Sequence, residues 1–90
     1  MKEMKELERL LKAFANHRRL AIIKYLKKQG EANVGDIAEH IKLSYKATSK
    51  HLGLLYAADV VEKEHRSLEM WYRLSSAPHP LSKHISNSLE

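Results

Sequence analysis

Ninety residues with a formal net charge of +5 are enough for one small domain that folds without covalent staples. The absence of cysteine excludes disulfides, thiolate metal sites and thiol catalysis. No apolar run reaches membrane-spanning length, and the charged N-terminus has no signal-peptide core, so the expectation is a cytoplasmic protein with an anionic partner.

Residues 2–15 read as a helix with Met4, Leu7, Leu10, Leu11 and Phe14 on one side and charges on the other. One helix at the edge of so small a domain has little to bury that stripe against. A dimer interface made by these five residues is expected, with docking on the chain's own body as the competing reading. Asn16 can cap a second helix to about Lys28, with Leu20, Ile23 and Leu26 inward. Lys27 and Lys28 suit its negative end, and Gly30 supplies a left-handed exit. Arg19 is expected to hydrogen-bond within the fold; the role of Arg18 stays open.

Past a short link at Glu31–Ala32, Asn33 and Asp36 form a pattern close to a capping box. It opens a brief helix, Val34 to Ile41, with Ile37, Ala38 and Ile41 inward. A turn at Lys42–Leu43 leads to a further helix capped by Ser44. Ala47, Thr48, His51, Leu52 and Leu55 make its packed stripe. The opposite stripe, Tyr45, Lys46, Ser49, Lys50 and Gly53, holds two cations and no acid. Two short helices joined by a tight turn, the second basic, read as a helix-turn-helix over about 34–57. The acid-free face suits the major groove of DNA, against the bland alternative of a solvated face.

Beyond Asp59 the pattern alternates. Val60–His65 and Glu69–Leu74, joined at Arg66–Ser67–Leu68, read as a hairpin over about 60–74 with Met70, Tyr72 and Leu74 inward. Such a hairpin after a helix-turn-helix is a wing, whose Lys63, His65 and Arg66 can reach a phosphate or minor groove. Glu62 and Glu64 would oppose this if they pointed the same way. Ala77-Pro78-His79-Pro80 breaks the strand, Leu81–Ile85 reads as a short last helix, and Leu89–Glu90 look like an expression-vector junction.

Four stretches together carry a family likeness over roughly residues 7–75. They are Ala15-Asn16-His17-Arg18-Arg19-Leu20-Ala21-Ile22-Ile23, the helix Val34–Ile41, the run Leu43-Ser44 with Ser49-Lys50-His51-Leu52, Leu55 and Ala58-Asp59-Val60-Val61, and Trp71-Tyr72-Arg73-Leu74. The chain resembles the ArsR-type winged helix-turn-helix repressors. That resemblance implies a mainly α fold with a small β-hairpin (α+β), forming one winged helix-turn-helix domain over 1–90. It implies a homodimer formed through the N-terminal helix, with or without the C-terminal segment, that represses transcription from palindromic double-stranded operator DNA. By position, Tyr45, Lys46, Ser49, Lys50 and His51 fall on the recognition helix, with Ser44 at its cap, and Lys63 to Arg66 on the wing.

Three departures matter. Val34-Gly35-Asp36-Ile37-Ala38 stands where metal-sensing members carry a Cys-x-Cys-type motif. His79 and His84 lie in the tail where others bind zinc, but the neighbouring prolines spoil the helix-face spacing, so no metal or other cofactor is expected. Asp59 replaces the family's usual glycine and tolerates its left-handed conformation. The remaining histidines form no constellation, and no catalytic motif has supporting context, so an enzyme is not expected. The competing readings are a protein-docking winged helix anchored by Trp71 and Tyr45, and a repressor released by zinc or a small ligand.

Overall fold

The computed structural model describes residues 2–89. In chain order it forms α1 (Lys2–Phe14), α2 (His17–Gln29), β1 (Glu31–Asn33), α3 (Val34–Ile41), α4 (Tyr45–Ala57), β2 (Val61–Arg66), β3 (Glu69–Leu74) and α5 (Pro80–Asn87). Helix α2 is the post on which the others stand. Its Ile22, Ile23 and Leu26 are fully buried together with Ile37 of α3 and Leu52 and Leu55 of α4. Val61 and Tyr72 close this core from the sheet side, and Leu81, Ile85 and Leu89 pack partly buried against it. Glu90, half of the expected vector junction, lies outside the described residues; its neighbour Leu89 packs on the core.

Local chemistry sets the helix starts. The side chains of Asn16, Asn33 and Ser44 accept hydrogen bonds from the backbone N–H groups of Arg19 (3.1 Å), Asp36 (2.8 Å) and Ala47 (3.1 Å), satisfying donors that a first helical turn leaves unpaired. Helix α5 starts on His79, whose Nδ1 accepts from Leu81 N–H at 3.0 Å. The helix ends use left-handed residues. Gly30 takes φ 86° after α2, and Lys42 and Asp59 take φ 57° and 59° after α3 and α4. At both non-glycine ends the next residue donates back across the turn, Leu43 N–H to Ala38 O and Val60 N–H to Leu55 O, each at 3.0 Å. The helix-turn-helix thus closes without a glycine in its turn.

Three readings of the sequence are corrected. The link Glu31–Ala32 is a strand with Asn33, pairing antiparallel with β3 in the register Glu31↔Arg73, Ala32↔Tyr72, Asn33↔Trp71, so the sheet has the order β1-β3-β2. Three residues are too few to display alternation; β3's otherwise open edge recruits them. Strand β2 runs to Arg66, which pairs with Glu69, leaving only Ser67 and Leu68 in the turn. Ser67 takes φ 56° and Leu68 is 96% exposed. In α1, Leu10 and Phe14 are each 5% exposed and fill the chain's own core beside Ala13, so they do not belong to a dimer surface. The helix leans far enough onto α2 to bury its last turns. Met4, Leu7 and Leu11 remain exposed.

Thr48 sits at 0% exposure with its Oγ1 lacking any hydrogen-bond partner. A buried hydroxyl without a partner is destabilising relative to an isosteric methyl. Thr48→Val should therefore raise stability by about 1 kcal/mol, read as a higher urea midpoint at unchanged m-value.

Candidate nucleic-acid interface

Because α4 sinks Thr48, Leu52 and Leu55 into the core, its other side must face outward. Tyr45 (58% exposed), Lys46, Lys50 and Gly53 stand clear of the body, and Ser49 is half-buried between them. A Cβ added at Gly53 would meet nothing within 4 Å, so this position is an opening in the side-chain wall rather than a packing requirement. The first turn of α4 carries no acid, whereas that of α3 carries Asp36. The positive end of the α4 dipole is therefore unopposed by its own side chains, at the point where Ser44 and Tyr45 lie.

His51, on the packed stripe by its spacing and on the DNA-facing set by the family resemblance, is engaged within the fold. It is half-buried, and its Nδ1 lies 3.1 Å from Nη1 of Arg19. The same guanidinium donates from Nε to Ala13 O (2.8 Å) and from Nη2 to Lys12 O (3.0 Å). Arg19 thus has the structural role expected of it, joining the C-terminal carbonyls of α1 to α4. Arg18 donates to Ile41 O at the end of α3 (3.3 Å).

The wing sorts its charges by face. Lys63 and His65 pair across the strands with Tyr72 and Met70, on the side of the sheet that meets the helices, and both are exposed. Glu62, Glu64 and Arg66 lie on the other side with Trp71, Arg73 and β1's Glu31. There Arg66 grips Glu31 with two hydrogen bonds (2.7 and 2.8 Å), reaches Glu64 at 2.9 Å, and lies 5.0 Å from the Trp71 ring. Arg73 bonds Glu62 (3.1 Å), which also accepts from Ser76 N–H and Oγ at 2.8 Å each. Hydrogen bonds from Arg66 hold the Glu31 and Glu64 carboxyls below the usual carboxylate range, and Ser76 does the same for Glu62.

Arg66 is therefore removed from the candidate contacts. Its partner Glu31 lies far away in sequence on a strand that the sequence did not announce. Conversely, Tyr56 was missed. Its ring lies under Lys63 Nζ at 4.2 Å, and it continues the outward-facing line Tyr45, Ser49, Gly53 at spacings of four, four and three. That spacing was the available signal. Helix and wing form one surface, joined where Lys63 crosses Tyr56.

Among the described residues, no group of three or more His, Cys, Asp or Glu side chains is placed to hold a metal ion. No helix among them is long and apolar enough to cross a membrane.

Residues 16–63 match the model of a family described as bacterial regulatory proteins, arsR family. The transcriptional activator HlyU of Vibrio cholerae is 39% identical over 67 residues, spanning 74% of this chain but only 61% of HlyU. The transcriptional repressor SdpR of Bacillus subtilis is 33% identical over 67 residues, 74% of this chain and 73% of SdpR. In structure, HlyU superposes with a TM-score of 0.81 at 33% identity over 98% of this chain and 91% of its own. The homodimeric winged helix-turn-helix DNA-binding domain of Mb0332 from Mycobacterium bovis gives 0.82 at 26% identity over 97% of this chain and 77% of its own.

Burial, then the charges of Arg19, Arg18 and Lys50, lower the His51 pKa from its ordinary value. The folded chain then binds fewer protons at His51 than the unfolded chain. This contribution to stability is whole above about pH 6.5, the ordinary histidine value, and is lost as pH falls from there through the folded pKa. The three lowered glutamates lose theirs only in the carboxylate range below. Between about pH 7.5 and about pH 5.5, the urea midpoint should fall for the native chain and fall less for His51→Gln. Parallel slopes in the two proteins would exclude this role for His51.

Proposed function

The chain belongs to the arsR family of bacterial regulatory proteins, and on that premise we propose that it is a homodimeric transcriptional regulator that binds palindromic double-stranded DNA in the cytoplasm. The observation that carries this reading is the exposed, acid-free face of α4, continued onto the Lys63 and His65 side of the wing. Two such faces related by a two-fold axis would enter successive major grooves about 34 Å apart. Lys46, Lys50 and Lys63 contact phosphates, as does the N-terminal end of α4 at Ser44. Tyr45 and Ser49 meet base edges or thymine methyls, and His65 approaches the flanking backbone.

Dimerisation rests on α1. The apolar residues of α5 face the chain's own core, and Lys27 Nζ fastens this helix by donating to Ser86 O and Leu89 O at 3.0 Å each. Met4, Leu7 and Leu11 are the apolar side chains of α1 left for a second copy. The two sequence relatives act with opposite sign, one an activator and one a repressor. For this chain we propose repression, by a dimer whose operator overlaps a promoter. The rival protein-docking reading loses one of its anchors, because Trp71 is half-buried beneath Arg66 within the ion-paired face of the wing.

Lys50→Ala should weaken binding to operator and random duplex alike and reduce the slope of log K against log salt by about 0.9, one phosphate's worth. Arg66→Ala should leave that slope unchanged. A slope that falls for Arg66→Ala and holds for Lys50→Ala, measured by fluorescence anisotropy across a salt series, would invert the assignment. Leu7→Glu with Leu11→Glu should yield a folded monomer by sedimentation, with operator affinity lowered at least tenfold because two linked half-sites become one. A stable dimer in that variant would remove α1 from the interface.

A further inference from the structure

A groove of about 520 Å³ runs between α1 and the last turns of α4, on surface that DNA reading leaves unused. Its floor is apolar: Ala13 at 4% exposure, with Leu54 and Ala57 of α4, Leu54 standing 48% exposed. Its rim is cationic, with Lys5, Arg9 and Lys12 on successive turns of α1 and Arg19 reaching in from α2. Glu8 is the one acid lining it, and it lies 3.9 Å from Lys12, to which its charge is directed. Three of the five N–H donors of Arg19 are engaged with Lys12 O, Ala13 O and His51, which fixes the guanidinium plane and leaves two donors over.

Apolar floor and cationic rim together select a ligand with two unlike ends. We propose that this groove is a binding site for an amphipathic monocarboxylate, a medium-chain aliphatic acid. Its tail covers Leu54 and Ala57, and its carboxylate is held by Arg9 and Lys5 with the free donors of Arg19. The volume falls in the range of small-molecule sites, roughly 300–1,000 Å³. A DNA backbone is the poorer fit, because phosphates would neutralise the rim and leave the exposed Leu54 in water. Bound there, the acid would share Arg19 with His51 of the recognition helix, so site and helix have a common side chain.

The test is made on the full 90-residue chain without DNA, and so is independent of the proposed regulatory function. Decanoate below its micelle concentration, titrated by calorimetry, should bind saturably at one per chain. Decanol and decyltrimethylammonium should bind at least tenfold more weakly. Lys5→Gln with Arg9→Gln, both exposed positions, should lower decanoate affinity about tenfold while the thermal melt stays unchanged. Leu54→Asn should weaken decanoate and decanol together. Equal affinity for decanoate and decanol, unchanged affinity in the Lys5/Arg9 variant, or no saturable binding would each overturn the proposal. If decanoate fails to bind and the Lys5/Arg9 variant lowers the salt slope of duplex binding, the rim belongs to phosphate instead.

Discussion

The depth to which α4 is sunk governs everything this molecule can present. Leu52 and Leu55 at 0% exposure lock against α2 and α3, and burying such side chains contributes roughly 1.5–3 kcal/mol each. With that stripe fixed, a helix of 3.6 residues per turn has no freedom left to rotate. Tyr45, Lys46, Lys50 and Gly53 are outside because Thr48, Leu52 and Leu55 are inside. A rotation by one residue in either direction would expose Leu52 and Leu55 and bring in Ser49, Gly53 and Tyr56, or Ala47, His51 and Leu54, a poorer filling of the same core. The proposed binding surface is thus a consequence of core packing rather than an addition to it.

The same logic explains the wing. Strand alternation puts Val61, Lys63 and His65 on one face and Glu62, Glu64 and Arg66 on the other. The acids that would repel phosphate are turned away from α4 and bound by Arg66 and Arg73. These pairs are half-exposed, and surface ion pairs add little to stability. Their effect is on the distribution of charge: a chain carrying eleven acids keeps one face free of them.

What was legible in the sequence was what short-range chemistry decides. Asn16, Asn33 and Ser44 announce their helices because a cap is a contact over three residues. The exposed stripe of α4 and the inward set Met70, Tyr72 and Leu74 follow from period alone. Contacts between distant residues were not legible. Arg66 meets Glu31 thirty-five positions away, across a strand with no signature of its own. His51 falls on the packed stripe by spacing and on the DNA-facing set only by family resemblance, and its partner Arg19, thirty-two positions earlier, was not legible. Leu10 and Phe14 share a helix face with Leu7 and Leu11, and only the lean of α1 onto α2 separates buried from free.

Arg19 shows why such long-range ties matter beyond stability. In the dimer proposed above, α1 supplies the apolar surface for a second copy and α4 the surface for DNA. In an assembled dimer, the spacing of the two recognition helices depends on how rigidly α4 is held relative to α1. Few side chains cross between them, but one guanidinium bonds the last carbonyls of α1 and the imidazole of α4 together. A planar group with several engaged donors resists rotation in a way that a single lysine contact could not. Any change that pulls on Arg19 therefore acts on the angle between α1 and α4. If the proposed dimer matches two half-sites at once, that angle sets affinity even though Arg19 need never touch a base.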